Sequence, residues 1–225
     1  MSTSAIDPRR IQAARTWLNW SFVVSSCLLA AVCLLHGSAL SAGEFNETLS
    51  PGDMAPAWKD LPGVDGKPHS LSDLKDQSVV VVVFTCNSCP FAVDYEDRII
   101  ALAKKFATQG VAFVAINVNK VEADSLPKMK ERAEKKSFPY PYLFDETQQI
   151  AKQYGATFTP EFFVLNKERK VVYMGGLDDN SRAEAVTERY LEPAIQAALN
   201  GKPIKTAETV ARGCRIRYVR ERKSD

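Results

Sequence analysis

Apolar residues follow two rhythms along this chain. Positions 79–84 read Val-Val-Val-Val-Val-Phe, an unbroken and mostly β-branched run. Such a run predicts a strand buried on both faces, as in a parallel sheet covered by helices. A helical stripe follows at Phe91, Tyr95, Ile99, Leu102 and Phe106, and Gly110 closes it. A second apolar run, 111–118, predicts another buried strand, and 124–136 reads as a charged, exposed helix. Pro141 cannot donate to a ladder, so 140–144 is at best a short edge strand. A short helix over 148–154 stops at Gly155, and 162–165 turns through 166–169 into a strand at 171–173. The last helix spans 183–199, with Val186, Tyr190, Ala194 and Ala198 on one stripe and Pro193 as a kink. Upstream, 61–74 predicts a short hairpin and then a capped helical turn. This order predicts an α/β fold: a mixed central sheet with a parallel core, helices on both faces, and a final antiparallel pair.

The N-terminal end follows a different logic. Arg9, Arg10 and Arg15 precede an apolar run at 17–35, followed by the small residues Ser38, Ala39, Ser41 and Ala42. That is the order of a secretory signal peptide. The run also approaches the roughly 20 residues that span a bilayer, so residues 1–42 are a signal peptide or an uncleaved N-terminal membrane anchor. Both readings put the domain outside the cytoplasm, periplasmic or secreted. Residues 43–50 read as a linker, and 51–225 as one domain with a C-terminal extension from about 202. A composition of 45% hydrophobic and 25% charged residues suits one ordinary globular core. There are 29 basic and 27 acidic residues, and the leader holds three of the former and one of the latter. The remainder is charge-balanced, which excludes a nucleic-acid or polyanion surface.

Chemistry enters with the cysteines. Cys27 and Cys33 fall in the leader, leaving Cys86, Cys89 and Cys214. Cys86-Asn87-Ser88-Cys89-Pro90 stands between the first buried strand and the first helix. Two thiols two residues apart at a helix start form a redox arrangement: one becomes an anion near backbone N–H groups, and the other resolves a mixed disulfide. Asn87 and Ser88 suit an N-cap, and Pro90 suits the first turn. The helix start should favour a thiolate on Cys86, with Cys89 one step inside. A zinc site needs two further ligands, and outside the motif only Cys214, His36 and His69 are available. Haem attachment needs His where Pro90 stands. No metal or cofactor is expected. Cys214 alternates with Ile216 and Tyr218 while Arg215 and Arg217 face away. That pattern is a half-buried strand carrying a packed thiol, with a third redox cysteine as the sharper alternative. Asp94, Glu96 and Asp97 are solvated carboxylates or a proton relay.

From about Gly52 onward the chain resembles the thioredoxin-like superfamily, in its redoxin branch, and there the peroxiredoxin-like group that carries a C-x-x-C motif. The resemblance rests on 84–91 (Phe-Thr-Cys-Asn-Ser-Cys-Pro-Phe), 95–98, 115–117, 142–148, 154–156, 159–163 (Thr-Pro-Glu-Phe-Phe) and 213–216 (Gly-Cys-Arg-Ile). It implies a thioredoxin-like fold and an extracytoplasmic thiol–disulfide oxidoreductase, with Cys86 attacking and Cys89 resolving. Pro160 would be a cis-proline facing the disulfide, with Thr159 and Pro160 presenting backbone to the substrate. The implied partners are protein or small-molecule thiols, disulfides or peroxides; no electron donor is indicated. Set on the P-x-x-x-T-x-x-C of a peroxiredoxin, Cys89 takes the cysteine position, Cys86 the threonine and Val82 the proline. A peroxide-reducing antioxidant enzyme is therefore the second reading. A non-enzymatic binding module is the third, and the intact C-x-x-C argues against it.

Overall fold

A computed structural model describes residues 43–219 of the chain; both readings of the 1–42 leader fall outside them. The centre is a five-stranded sheet in the order β5-β4-β3-β7-β8. Strand β3 (Val79–Thr85) pairs in parallel with β4 (Val111–Asn117), and β4 pairs in parallel with β5 (Tyr142–Phe144). On its other side β3 meets β7 (Glu161–Leu165) antiparallel, and β8 (Val171–Gly175) completes that hairpin. The sheet is mixed, with the predicted parallel core and terminal antiparallel pair.

All six apolar residues of 79–84 are fully buried, and their alternation divides them between two cores. Val79, Val81 and Val83 face helix α1 (Pro90–Phe106) and helix α4 (Leu191–Leu199), meeting Tyr95, Ile99 and Ile195. Val80, Val82 and Phe84 face the opposite layer, built on Trp58, Leu71 and Tyr154. Each such side chain contributes about 1.5–3 kcal/mol by burial, so the central strand is the anchor of both layers. The remaining helices are α2 (Leu126–Lys136), whose Met129 reaches the first core, and the short α3 (Gln149–Gln153) beneath the second. The predicted hairpin is β1 (Leu61–Pro62) with β2 (Pro68–His69), and Ser70 and Asp73 form a capping box on the turn that follows.

Four expectations need correction. Phe91 is exposed, because at the second position of α1 it lies off the core-facing side of the helix; the buried stripe starts at Ala92 and Tyr95. The last helix starts at Leu191, not at 183, where there is only a short 3-10 turn. Pro193 thus lies in the first turn, where its missing N–H costs no hydrogen bond and no kink arises. Residues 43–50 are packed rather than a free joint. The Glu208 carboxylate accepts the N–H groups of Glu44, Phe45 and Asn46, and the buried Asn46 side chain donates to the Tyr154 carbonyl. Finally, helix α2 starts at Leu126, so Asp124 lies in the preceding turn, fully buried. The extension after 202 returns to the sheet end, where β9 (Cys214–Arg215) pairs antiparallel with β6 (Phe158–Thr159).

Candidate active site

The site forms where β3 ends and α1 begins. Cys89 is itself the N-cap of α1: its Sγ accepts the Ala92 N–H at 3.4 Å. Pro90 occupies the first helical position, where an N–H would go unused. Asn87 and Ser88 therefore do not cap the helix as their residue types suggest. Their backbone N–H groups instead turn toward Asp124, donating to its Oδ1 at 2.7 and 2.9 Å, while Ser88 Oγ donates to Oδ2 at 2.6 Å. Asn87 Nδ2 donates to the Ala123 carbonyl, and Tyr142 Oη donates to Asn87 Oδ1. Asp124 is held in turn from the end of β4, where Asn117 Nδ2 donates to its carbonyl at 2.7 Å. One buried carboxylate thus shapes the Cys-x-x-Cys loop.

The opposite wall is the Thr159-Pro160 step, whose peptide is cis. The protonated Cys89 Sγ donates to the Thr159 carbonyl at 3.0 Å, and Cys86 Sγ lies 3.5 Å from Thr159 Oγ1. Just beyond, Glu161 is buried, and its Oε2 accepts the N–H groups of Thr157 and Phe158 at 2.7 and 2.9 Å. Burial pushes that carboxyl up to about 7. Cys214 stands directly across from Thr159 in the β6–β9 ladder and packs against Cys86, Cys89 and Ala92. All three thiols are free. The sequence pattern of Cys214 is as read, half-buried with Arg215 and Arg217 outward, but the face it buries is the redox site itself.

The two motif thiols are electrostatically coupled, and their shifts run in opposite directions. Cys89 is pushed down, chiefly by the hydrogen bond from the Cys86 thiol, helped by Cys214, Thr159 and the Ala92 N–H and opposed by burial. Cys86 is pushed up by the same shared bond, by burial and by the charge of Asp124. The pair as a unit gives up one proton readily and holds the second. Burial and the neighbouring Cys89 push the Cys214 thiol up to about 11. The carboxylates of α1 take no part: Glu96 pairs with Arg132, Asp97 pairs with Lys136, and Asp94 is exposed. Among the described residues, no group of three or more His, Cys, Asp or Glu side chains is arranged to hold a metal ion.

Fold and site together define an oxidoreductase of the thioredoxin-like, thiol–disulfide class. The chain belongs to the AhpC/TSA family, whose profile matches residues 51–174. It is 30% identical over 156 residues to the thiol-disulfide oxidoreductase ResA of Bacillus subtilis, covering 67% of this chain and 82% of that one. An uncharacterized conserved protein of Geobacillus kaustophilus superposes with a TM-score of 0.73 at 35% identity, over 79% of this chain and 96% of that one. A thiol:disulfide interchange protein of the thioredoxin family from Chlorobium tepidum shares the fold, with a TM-score of 0.53 at 24% identity, over 67% and 99% of the two chains.

Two residues at the site escaped the sequence reading. Asp124 was absorbed into a charged helix, although Pro127 in a first turn would have placed the helix start after it. Glu161 opens a wholly apolar strand, and an acid in that position is itself a signal of a buried carboxylate.

Proposed function

We propose that the chain is an extracytoplasmic thiol–disulfide oxidoreductase in which Cys86 and Cys89 form the redox couple and Thr159-Pro160 receives the client. The observation that carries this reading is the placement of both sulfurs against the Thr159 backbone and side chain, with the helix N–H aimed at Cys89. In the dithiol state the Cys89 anion attacks a client disulfide. Cys86 then displaces the client and closes the internal disulfide, its thiol proton passing to the departing client thiolate; the reverse sequence oxidises a client dithiol. The leader pattern at 17–35 supports export or anchoring. Among the described residues no helix is long and apolar enough to cross a membrane.

Redox titration of the full chain, followed by acid quench and peptide mapping, tests the couple. Residues 76–98 form one tryptic peptide carrying both motif cysteines. Its internal disulfide should appear as a single two-electron transition, and Cys89→Ser should abolish both that transition and the reduction of insulin disulfides. An oxidised chain that leaves both motif thiols free overturns the reading. Peroxide reduction is the second reading, favoured by the downward shift of Cys89, the residue at the peroxiredoxin cysteine position. Rapid peroxide consumption by Cys86→Ser, with a sulfenic acid on Cys89, would put it first.

A further inference from the structure

Three sulfurs meet at this site, where the two-cysteine reaction uses two. Cys86, Cys89 and Ala92 form one buried cluster and Cys214 packs against it, with Cys89 Sγ 3.0 Å from the carbonyl of Thr159, the residue that Cys214 faces. The contact with Cys214 is built by the fold. Strand β9 is pinned to β6 with Cys214 opposite Thr159, the residue that touches both motif thiols. Gly213 makes that approach possible, since a Cβ there would come within 2.1 Å of the Thr159 carbonyl oxygen. Burial separates the three thiols. Cys86 and Cys89 are each 2% exposed, whereas Cys214 is only half-buried.

We propose that Cys89 is the shared sulfur of two alternative disulfides, closing with Cys86 in one oxidised form and with Cys214 in the other, so that Cys214 is a second resolving thiol. The inference rests on the redox reading of the Cys86–Cys89 pair given above. The interconversion is an isomerisation. Cys214 Sγ attacks Cys89 Sγ, the Cys89–Cys214 bond forms as the Cys86–Cys89 bond breaks, and the thiol proton of Cys214 passes to Cys86. No electron enters or leaves the protein. The same attack on a mixed disulfide at Cys89 expels the client as its thiol. Either way the disulfide moves from the buried pair to the side where a second thiol partner has access.

Trypsin separates the participants, because 76–98 carries Cys86 and Cys89 and 213–215 carries Cys214. Full-length Cys86→Ser is treated with oxidised glutathione, quenched with acid and mapped. The expected product is 76–98 crosslinked to 213–215. Glutathione on Cys89 should be roughly tenfold less abundant than in Cys86→Ser/Cys214→Ser, where no resolving thiol remains. Equal, stable glutathionylation of Cys89 in both variants overturns the proposal, and so does a Cys89 left unmodified. A parallel measurement avoids any folding defect of the variants: the wild-type chain, equilibrated across glutathione redox buffers, should show the crosslink beside the disulfide internal to 76–98. The internal disulfide alone, in every buffer, overturns the role of Cys214 and leaves the two-cysteine reading standing. No disulfide in 76–98 at all overturns both.

Discussion

Two corners face each other across the active-site sulfurs, and each is tied down by one buried carboxylate. The motif corner, 86–89, is wrapped on Asp124, both of whose oxygens are used: one accepts two backbone N–H groups and the other the Ser88 hydroxyl. The proline corner, 157–160, hangs on Glu161, where a single oxygen accepts both N–H groups. The number of donors matters, because hydrogen bonds to an ionised group offset the cost of burying it. At the proline corner two bonds do not offset burial, and the Glu161 carboxyl is raised to about 7. The two corners therefore differ in how fully their carboxylate is used. One loop is moulded around a fully used anchor, while the other hangs on a group poised to change charge.

The largest effect should come from the motif corner. Asp124→Ala leaves the Asn87 and Ser88 N–H groups and the Ser88 hydroxyl without their acceptor, at a cost of about 2–4 kcal/mol. Because the Cys86–Cys89 geometry depends on that loop, disulfide-reductase turnover should fall roughly 10- to 100-fold. Asp124→Asn keeps an oxygen for the two N–H groups and removes the charge that pushes Cys86 up. Stability should fall by less than half as much, while the Cys86 thiol titrates at lower pH. Urea melts and the pH profile of iodoacetamide labelling read the two effects separately. Equal losses in both variants would mean that charge rather than loop shape is the function of Asp124.

The contrast between the corners also explains what was legible beforehand. The apolar runs that became β3 and β4, the stops at Gly110 and Gly155, and the redox motif are local patterns, and local sequence carries them. Asp124 acts on residues 36 and 37 positions away, and Cys214 meets Thr159 across 55. Neither partnership leaves a periodic trace. The Cys214 alternation marked a half-buried strand but not which face it would cover. The exchange of roles proposed for Cys86 and Cys89 has the same origin. Spacing placed both thiols at a helix start, but only the backbone showed that Cys89, as the cap, receives the helix N–H.

At the proline corner the expected effect is smaller and depends on pH. The folded-state pKa of Glu161 lies above its ordinary value of 4.5, so the folded chain binds this proton more tightly than the unfolded chain does. Its stabilising share is full below about pH 4.5 and is lost as pH rises through about 7. The shift corresponds to roughly 3 kcal/mol between those limits. Glu161→Gln keeps an acceptor oxygen for Thr157 and Phe158 but cannot ionise. Relative to the variant, the parent should lose stability across that window and be the weaker of the two at pH 8. Parallel denaturation curves at pH 4.5, 6, 7 and 8 measure the difference. A constant gap between the two proteins would show that Glu161 does not titrate in the folded state.

Thr159 is the residue through which the two corners touch, and changing it should have the smallest effect of the three. Its carbonyl contacts Cys89, and its hydroxyl lies 3.5 Å from Cys86 Sγ and 3.5 Å from the Cys214 carbonyl. Thr159→Val preserves the shape and the backbone carbonyl and removes only the hydroxyl. The Cys89 contact to the carbonyl survives, as does the Asp124 cradle, so stability should change by about 1 kcal/mol or less. The hydroxyl favours the anionic form of both motif thiols. Without it the pair should release its first proton at higher pH, and alkylation at pH 7 should slow by roughly two- to fivefold. A loss as large as that of Asp124→Ala would place control of thiol reactivity in the proline corner and reverse the ranking of the two. An unchanged rate would mean that the proline corner acts on the sulfurs through its backbone alone.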